Sequence, residues 1–370
     1  MTSVTPNRPI DVPQTMAAVM LLGNGGYEQL AYRTDVPVPH PGVGEVLIRI
    51  AAAGVNNTDI NTRTAWYSRS VTEGTTAAGA ASGLEMARAE DAGWTGAMHT
   101  FPKIQGADVC GVIAQVGEGV SASRLGQRVL VEPIIRRLIN GREQISYFGS
   151  ECNGGFAQYT CIPDINAHAL ESRFSDVELA SLPCAYGAAE HMLHRCGVRA
   201  GQRVLITGAS GGVGSAAIQL ATRRGAYVVA IATLSKAPAL KALGAAEVLA
   251  RDCNIVDCLG EESIDAVVDV VGGAQFGQLL RVLRRKGCYA VAGAIAGPVV
   301  DLDLRTLYLK DLRLEGCTVY SAEVFRNLVG YIEREEIRPL VAATFPLREI
   351  VAAQRQFTEK GFTGKIVLIP

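Results

Sequence analysis

The stretch Arg203-Val-Leu-Ile-Thr-Gly-Ala-Ser-Gly-Gly-Val-Gly-Ser-Ala-Ala-Ile-Gln-Leu-Ala221 runs from a short apolar strand through a glycine-rich turn into an apolar helix. A second apolar strand, Val228-Val-Ala-Ile-Ala232, follows at the spacing of a strand–helix–strand unit. In that context backbone N–H groups and a helix N-terminus are aimed at one point, where they can hold a pyrophosphate. The fingerprint G-x-G-x-x-G is met by Ala209, Gly211 and Gly214, with alanine at the first place. Lack of a side chain at Gly211 lets the backbone approach phosphate oxygens, and at Gly214 it lets the helix pack on the strand. The turn Ala209, Ser210, Gly211, Gly212, Val213, Gly214 is therefore expected to bind a dinucleotide.

The end of the second strand addresses which dinucleotide. An NAD site usually places Asp or Glu there, to accept hydrogen bonds from the ribose hydroxyls. Here Ala232 is followed by Thr233, Ser235 and Lys236, two hydroxyls and a cation where a 2′-phosphate would lie. NADPH is the expected cofactor.

Outward from this unit, strand and helix patterns alternate: strands over 203–207, 227–232, 247–250, 264–271, 287–292 and 312–319, with helices over 212–224, 236–243 and 274–285. Such alternation implies a doubly wound parallel sheet with its ligand crevice at the carboxyl ends of the strands. Two glycine-bearing loops at those ends, Val271–Gly272 and Gly293, Ala294 and Ile295, are candidate cofactor contacts. Before residue 176 the rhythm differs. Short alternating segments at 16–22, 45–52, 109–116 and 127–131, punctuated by Gly and Pro, read as a compact mixed β domain. Between Ser68 and Phe101 lies a Gly-, Ala-, Ser- and Thr-rich stretch of weak periodicity, expected to be an insertion, either a lid or a decoration.

With 370 residues the chain has room for two domains, and a net charge of −1 gives no basic field for nucleic acid or an anionic membrane. The segment from Met1 to Pro9 lacks a signal-peptide core, and no apolar run is long enough to span a bilayer. A soluble cytoplasmic protein is expected. The nine cysteines contain no C-x-x-C pair, which suits isolated thiols rather than a disulfide scaffold or a four-cysteine zinc lobe.

The landmarks Gly44-Glu-Val-Leu-Ile-Arg-Ile50, Ala53-Gly-Val-Asn-Asn-Thr-Asp59, Gly106-Ala-Asp-Val-Cys-Gly111, Gly155-Phe-Ala-Gln-Tyr159, Leu182-Pro-Cys184 and Gly364-Lys-Ile-Val-Leu368, with the glycine turn, resemble the medium-chain dehydrogenase/reductase superfamily. The resemblance spans nearly the whole chain outside the insertion and the first fifteen residues. It implies an α/β fold: a Rossmann nucleotide-binding domain over 172–323 beside a GroES-like catalytic domain over 1–171 and 324–370, the latter carrying the 68–101 insertion. Homodimerisation through the last strand of the nucleotide domain is implied as well.

Zinc alcohol dehydrogenases of that superfamily place Cys, His and Cys where this chain has Asn56, Ala107 and Cys184. A catalytic zinc needs three protein ligands, and one thiolate does not suffice. No metal site is expected. The resemblance is then to the zinc-independent quinone oxidoreductase and zeta-crystallin-like branch, whose members often read Asn-x-x-Asp or Asn-x-x-Glu with a Tyr eight residues after the acid. Asn56-Asn-Thr-Asp59 and Tyr67 fit that interval. Hydride addition to an enone generates an enolate that needs a hydrogen-bond donor and then a proton. Tyr67 is the candidate donor, and the Asn56 amide is the candidate for orienting nicotinamide or substrate oxygen. Asp59 reads as a cap for the following helix. The expected activity is NADPH-dependent, zinc-independent reduction of quinones or α,β-unsaturated carbonyl compounds. The alternatives are an alcohol dehydrogenase acting on a small alcohol or aldehyde, and an NADPH-binding protein with little turnover.

Overall fold

Val204, Leu205 and Ile206 have no exposed surface, as expected of a central strand covered on both faces. The structure, a computed structural model, describes residues 11–370, so the segment from Met1 to Pro9 lies outside it. Strand Arg203–Ile206 is the third of six parallel strands, in the spatial order 247–250, 227–232, 203–206, 264–269, 283–291, 313–316. The chain builds outward to one side of 203–206 and then resumes on the other. That reversal opens a crevice at the carboxyl ends of strands 203–206 and 264–269.

The second sheet is formed largely by the first half of the chain. Strand Glu45–Gly54 pairs antiparallel with Asp108–Val116 and with Tyr159–Pro163. The terminal strand Lys365–Ile369 inserts beside Glu45–Gly54, with Val367 opposite Gly54 and Leu368 opposite Ala53. This long-range pairing carries the C-terminus back to the first domain and sets Lys365 next to the chain leaving Gly54. Helix Ala322–Glu333, by contrast, shares its core with the helix Pro183–Cys196 of the nucleotide domain through Val324, Phe325, Leu328 and Ile332. The chain rejoins the first sheet at Val341, later than the 324 boundary read from the sequence.

A two-stranded hairpin, Ile134–Ile139 with Arg142–Tyr147, has no counterpart in the sequence reading. Its turn is Asn140-Gly141, both at positive φ, a standard hairpin signal. The 68–101 insertion is ordered by specific contacts. It carries the short helix Ala77–Ser82, capped by Thr76 Oγ1 accepting from the Gly79 N–H at 3.0 Å and packed on the helix Ile350–Glu359. Trp94 stacks on Tyr147 at 5.1 Å. Among the described residues no helix is long and apolar enough to cross a membrane.

Candidate active site

Helix Asn57–Thr64 begins at Asn56, and the Asp59 carboxylate accepts the Asn56 backbone N–H at 2.7 Å, the capping role expected of it. Asp59 also accepts from the Gly106 N–H at 3.2 Å. Burial pushes its pKa up to about 7, against the pull of the Asn56 N–H and of Lys365. Beside it lies Asp108, fully buried, which accepts from three donors: the Cys184 N–H at 2.6 Å, Asn56 Nδ2 at 2.9 Å and Lys365 Nζ at 2.9 Å. The first of these places a carboxylate at the N-terminus of helix Pro183–Cys196, where the helix dipole favours it. Lys365 Nζ donates in addition to the Val55 carbonyl at 2.8 Å and to Asn56 Oδ1.

Both ends of the Asn56 amide are therefore engaged by protein, Nδ2 by Asp108 and Oδ1 by Lys365. Asn56 lines the cavity next to the nucleotide domain, yet its hydrogen-bonding capacity goes into positioning Lys365 and Asp108 rather than reaching outward.

Helix Asn57–Thr64 ends at Ala65 in the left-handed conformation, and this turn throws Trp66 and Tyr67 toward the interdomain cleft. The two rings meet edge to face at 5.8 Å. Tyr67 shares one cavity of about 160 Å³ with Asn56, Asn61, Thr75, Cys184 and Lys365 from one side and Gly212, Val213, Gly293, Ala294 and Ile295 from the other. Burial raises the Tyr67 hydroxyl well above its ordinary pKa, so it stays protonated and able to donate. Ala185 and Ala188 line the same cavity, where their small side chains leave room. Cys184 is held as a thiol: burial and then Asp108 push it up to about 12, while Tyr147 donates to its Sγ at 3.0 Å.

A larger cleft of about 350 Å³ continues along the nucleotide domain and is lined by Ser210, Gly211, Gly212, Val213, Gly214, Thr233, Lys236, Val271 and Ile295. The residues present fit a dinucleotide. Gly211 caps helix Gly212–Arg223 with no side-chain acceptor, so the first-turn N–H groups lie open to an anion. A Cβ at Gly214 would sit 2.3 Å from the Gly208 carbonyl oxygen, so that position requires glycine, while one at Gly212 would sit 2.8 Å from Lys365 Cδ and displace that side chain. Lys236 donates to Ser210 Oγ at 3.3 Å and to the carbonyls of Lys360 and Phe362 at 2.9 and 2.7 Å, tying the C-terminal turn to the cleft.

Three cofactor candidates singled out from the sequence line neither the cleft nor the smaller cavity. Ala209 is fully buried, with its N–H donated to the Ile231 carbonyl at 3.2 Å. Ser235 is exposed on the turn beyond Thr233. Gly272, at φ +64, gives its N–H to the buried Asp269 carboxylate and shapes the loop that presents Val271. Conversely, Arg251 and Lys360 line the cleft unanticipated. Arg251 follows strand Glu247–Ala250, so a cation just past the third strand was the available signal. Lys360, exposed at the mouth of the cleft, reaches Asn57 Oδ1 at 3.1 Å, and the surrounding cleft wall with Lys365 and Lys236 nearby pushes its pKa down to about 7.

A tetrahedral zinc does not fit the donors present. Asn56 and Ala107 offer no anionic or imidazole ligand, Cys184 is a single thiol, and the Lys365 ammonium already occupies the Asp108 carboxylate. Among the described residues no group of three His, Cys, Asp or Glu side chains converges. His191 is buried, its pKa pushed down to about 4 by burial, while His194 is exposed, so the two share no face.

This architecture, a GroES-like sheet packed on a six-stranded Rossmann sheet with a cavity between them, is that of alcohol dehydrogenase-like oxidoreductases. Residues 42–172 match the family of alcohol dehydrogenase GroES-like domains, and residues 212–334 match the zinc-binding dehydrogenase family. The crystal structure of a putative alcohol dehydrogenase from Sinorhizobium meliloti 1021 is 45% identical, with TM-score 0.85, over 97% of this chain and 98% of that one. The quinone oxidoreductase of Homo sapiens is 27% identical over 96% of this chain and 98% of its own length. The acryloyl-coenzyme A reductase of Metallosphaera sedula is 27% identical over 95% and 99%. The chain belongs to the medium-chain dehydrogenase/reductase superfamily and is an oxidoreductase.

Proposed function

We propose that the protein is an NADPH-dependent, zinc-independent reductase of quinones or α,β-unsaturated carbonyl compounds. The observation that carries this reading is the single cavity in which the protonated Tyr67 faces Gly212, Val213 and the Gly293–Ile295 loop across the domain boundary. Bound NADPH supplies a hydride, two electrons with one proton, to the electron-poor carbon of the substrate.

The chain's own residues do the rest. Gly211 to Gly214 receive the pyrophosphate on the open turn of helix Gly212–Arg223. Thr233, Lys236, Arg251 and Lys360, which line the cleft, would hold the 2′-phosphate. Tyr67 hydrogen-bonds the substrate oxygen as charge develops there and gives it a proton, which solvent then restores. Asn56 and Asp108 hold Lys365 at the cavity wall, its ammonium paired with the Asp108 carboxylate.

Homodimerisation is part of the reading. Leu314 on the edge strand Arg313–Gly316, with Val299, Leu304, Tyr308 and Leu309 in the preceding segment, gives an exposed apolar surface suited to a second copy. Nine free thiols suit a reducing, cytoplasmic setting.

The test follows NADPH and NADH oxidation with a panel of quinones, enones and saturated aldehydes, for wild type and Tyr67→Phe, alongside metal analysis. Turnover of quinones or enones with NADPH, and a loss on the order of 10² in Tyr67→Phe, is the expected result. Stoichiometric zinc with aldehyde turnover would establish the alcohol dehydrogenase reading. NADPH binding without turnover would establish the binding-protein reading.

A further inference from the structure

The 68–101 insertion reaches the active-site cavity at one place, the strap Glu73-Gly74-Thr75, and its contacts there converge on Tyr67 from two sides. On one side the Trp66 indole N–H donates to the Glu73 carbonyl at 2.9 Å, fixing the ring that meets Tyr67 edge to face. On the other, Thr75 Oγ1 donates to Asn61 Oδ1 at 3.3 Å. An amide whose oxygen is held in this way must turn its NH₂ group the other way. Asn61 lines the cavity beside Tyr67, and its amide counters the rise that burial imposes on the Tyr67 pKa, the effect of an N–H turned toward the phenol oxygen. An Asn61 amide facing the phenol in this way leaves the phenol's own proton to the cavity side.

The same residue binds the nucleotide domain. The Thr75 N–H donates to the Ile295 carbonyl at 2.9 Å, in the loop that lines both the cavity and the dinucleotide cleft. Gly74 makes the approach possible, since a Cβ there would lie 2.4 Å from the Ile295 carbonyl oxygen. The strap thus bridges the two domains directly over the cavity.

We propose that Thr75 is a positioning residue, its hydroxyl setting the Asn61 amide so that Tyr67 donates into the cavity, while its N–H ties the strap to the Ile295 loop. The inference deepens the assignment of Tyr67 as the proton donor and rests on it.

The experiment compares Thr75→Val, which keeps the shape and removes the hydroxyl, with Thr75→Ser, which restores it, each in the wild-type and Tyr67→Phe backgrounds. Thr75→Val is expected to lower kcat by roughly tenfold to a hundredfold, with NADPH affinity within about twofold of wild type, and Thr75→Ser to recover most of the rate. In the Tyr67→Phe background Thr75→Val should cost nothing further, because a residue that acts through Tyr67 has nothing left to act on. Independent losses in the two backgrounds, or a Thr75→Val enzyme as fast as wild type while Tyr67→Phe is slow, would overturn the inference and leave the assignment of Tyr67 standing. A readout that needs no turnover is the ¹³Cζ resonance of Tyr67, assigned by its loss in Tyr67→Phe. It should shift in Thr75→Val and return in Thr75→Ser. A resonance that does not move overturns the inference even in a protein that turns over none of the panel.

Discussion

Removing the Arg251 guanidinium separates the two parts of dinucleotide binding more cleanly than removing Lys236. Arg251 lines the cleft as an exposed side chain, so its attraction for a 2′-phosphate is screened. An exposed ion pair is worth up to about 1 kcal/mol, and a bidentate contact to a dianion raises that to about 2 kcal/mol. Arg251→Ala should therefore weaken NADPH by roughly 30-fold and leave NADH within about twofold. Lys236 differs because its ammonium also holds Ser210 and the carbonyls of Lys360 and Phe362. Lys236→Ala should loosen that turn and weaken both cofactors, so the NADPH-to-NADH ratio changes less than in Arg251→Ala. Dissociation constants from nicotinamide fluorescence, measured for both cofactors at fixed salt, give the comparison. Equal affinity of wild type for NADPH and NADH would refute the reasoning at its base. An Arg251→Ala protein that loses both cofactors alike would refute the assignment of this side chain.

Lys365→Met strands the buried Asp108 carboxylate on its two remaining donors and should cost about 3 kcal/mol of stability. Combining it with Asp108→Asn should recover at least about 2 kcal/mol of the summed single losses, read from urea unfolding, and strictly additive losses would contradict a coupled pair. Lys360, depressed to about 7 from its ordinary 10.5, should regain a proton when an anionic phosphate settles beside it. NADPH binding at pH 8 should take up between about half and one proton, measured by calorimetry in buffers of different ionisation enthalpy, and Lys360→Met should abolish the uptake. Between those two values the unfolded chain holds more protons on this lysine than the folded one does. Its penalty on folding is therefore complete below pH 7 and fades as pH rises toward 10.5.

What the sequence discloses follows the range over which each constraint acts. The glycine turn is legible because the demand at Gly214 is local: a Cβ there meets the Gly208 carbonyl six residues away. Alternating apolar runs likewise announce the parallel strands, whose interiors are buried on both faces. The hairpin of 134–147 carried an equally local signal in Asn140-Gly141, and only its charged, exposed strands hid it. The active-site charges are of another kind. Lys365 meets Asn56 and Asp108 because the terminal strand pairs with Glu45–Gly54, a contact across more than three hundred residues that no spacing encodes. The partners of the Asn56 amide are hidden for the same reason, since the sequence does not place Asp108 and Lys365 beside it. The insertion shows weak periodicity because its order comes from single hydrogen bonds to Asn61, Trp66 and Ile295, not from an amphipathic face.

The electrostatics of the cavity bear on which carbonyl the site can reduce. Asp108 is neutralised by Lys365 and by the N-terminus of helix Pro183–Cys196, and Asp59 sits near its own titration point, so little net charge faces the substrate. The donor left for a developing oxyanion is a phenol whose pKa burial has raised rather than lowered. Such a donor is a weak acid, and most is demanded of it when the charge is concentrated on one strongly basic oxygen, as in the alkoxide from a saturated aldehyde. In an enolate or a quinol anion the charge is spread by conjugation, and less is asked of the donor. A lone tyrosine, without a Lewis acid beside it, therefore fits conjugated acceptors far better than isolated carbonyls. The saturated aldehydes in the substrate panel are the sharpest probe of this reading, because their efficient reduction would require an electrophile that the side chains around Tyr67 do not provide.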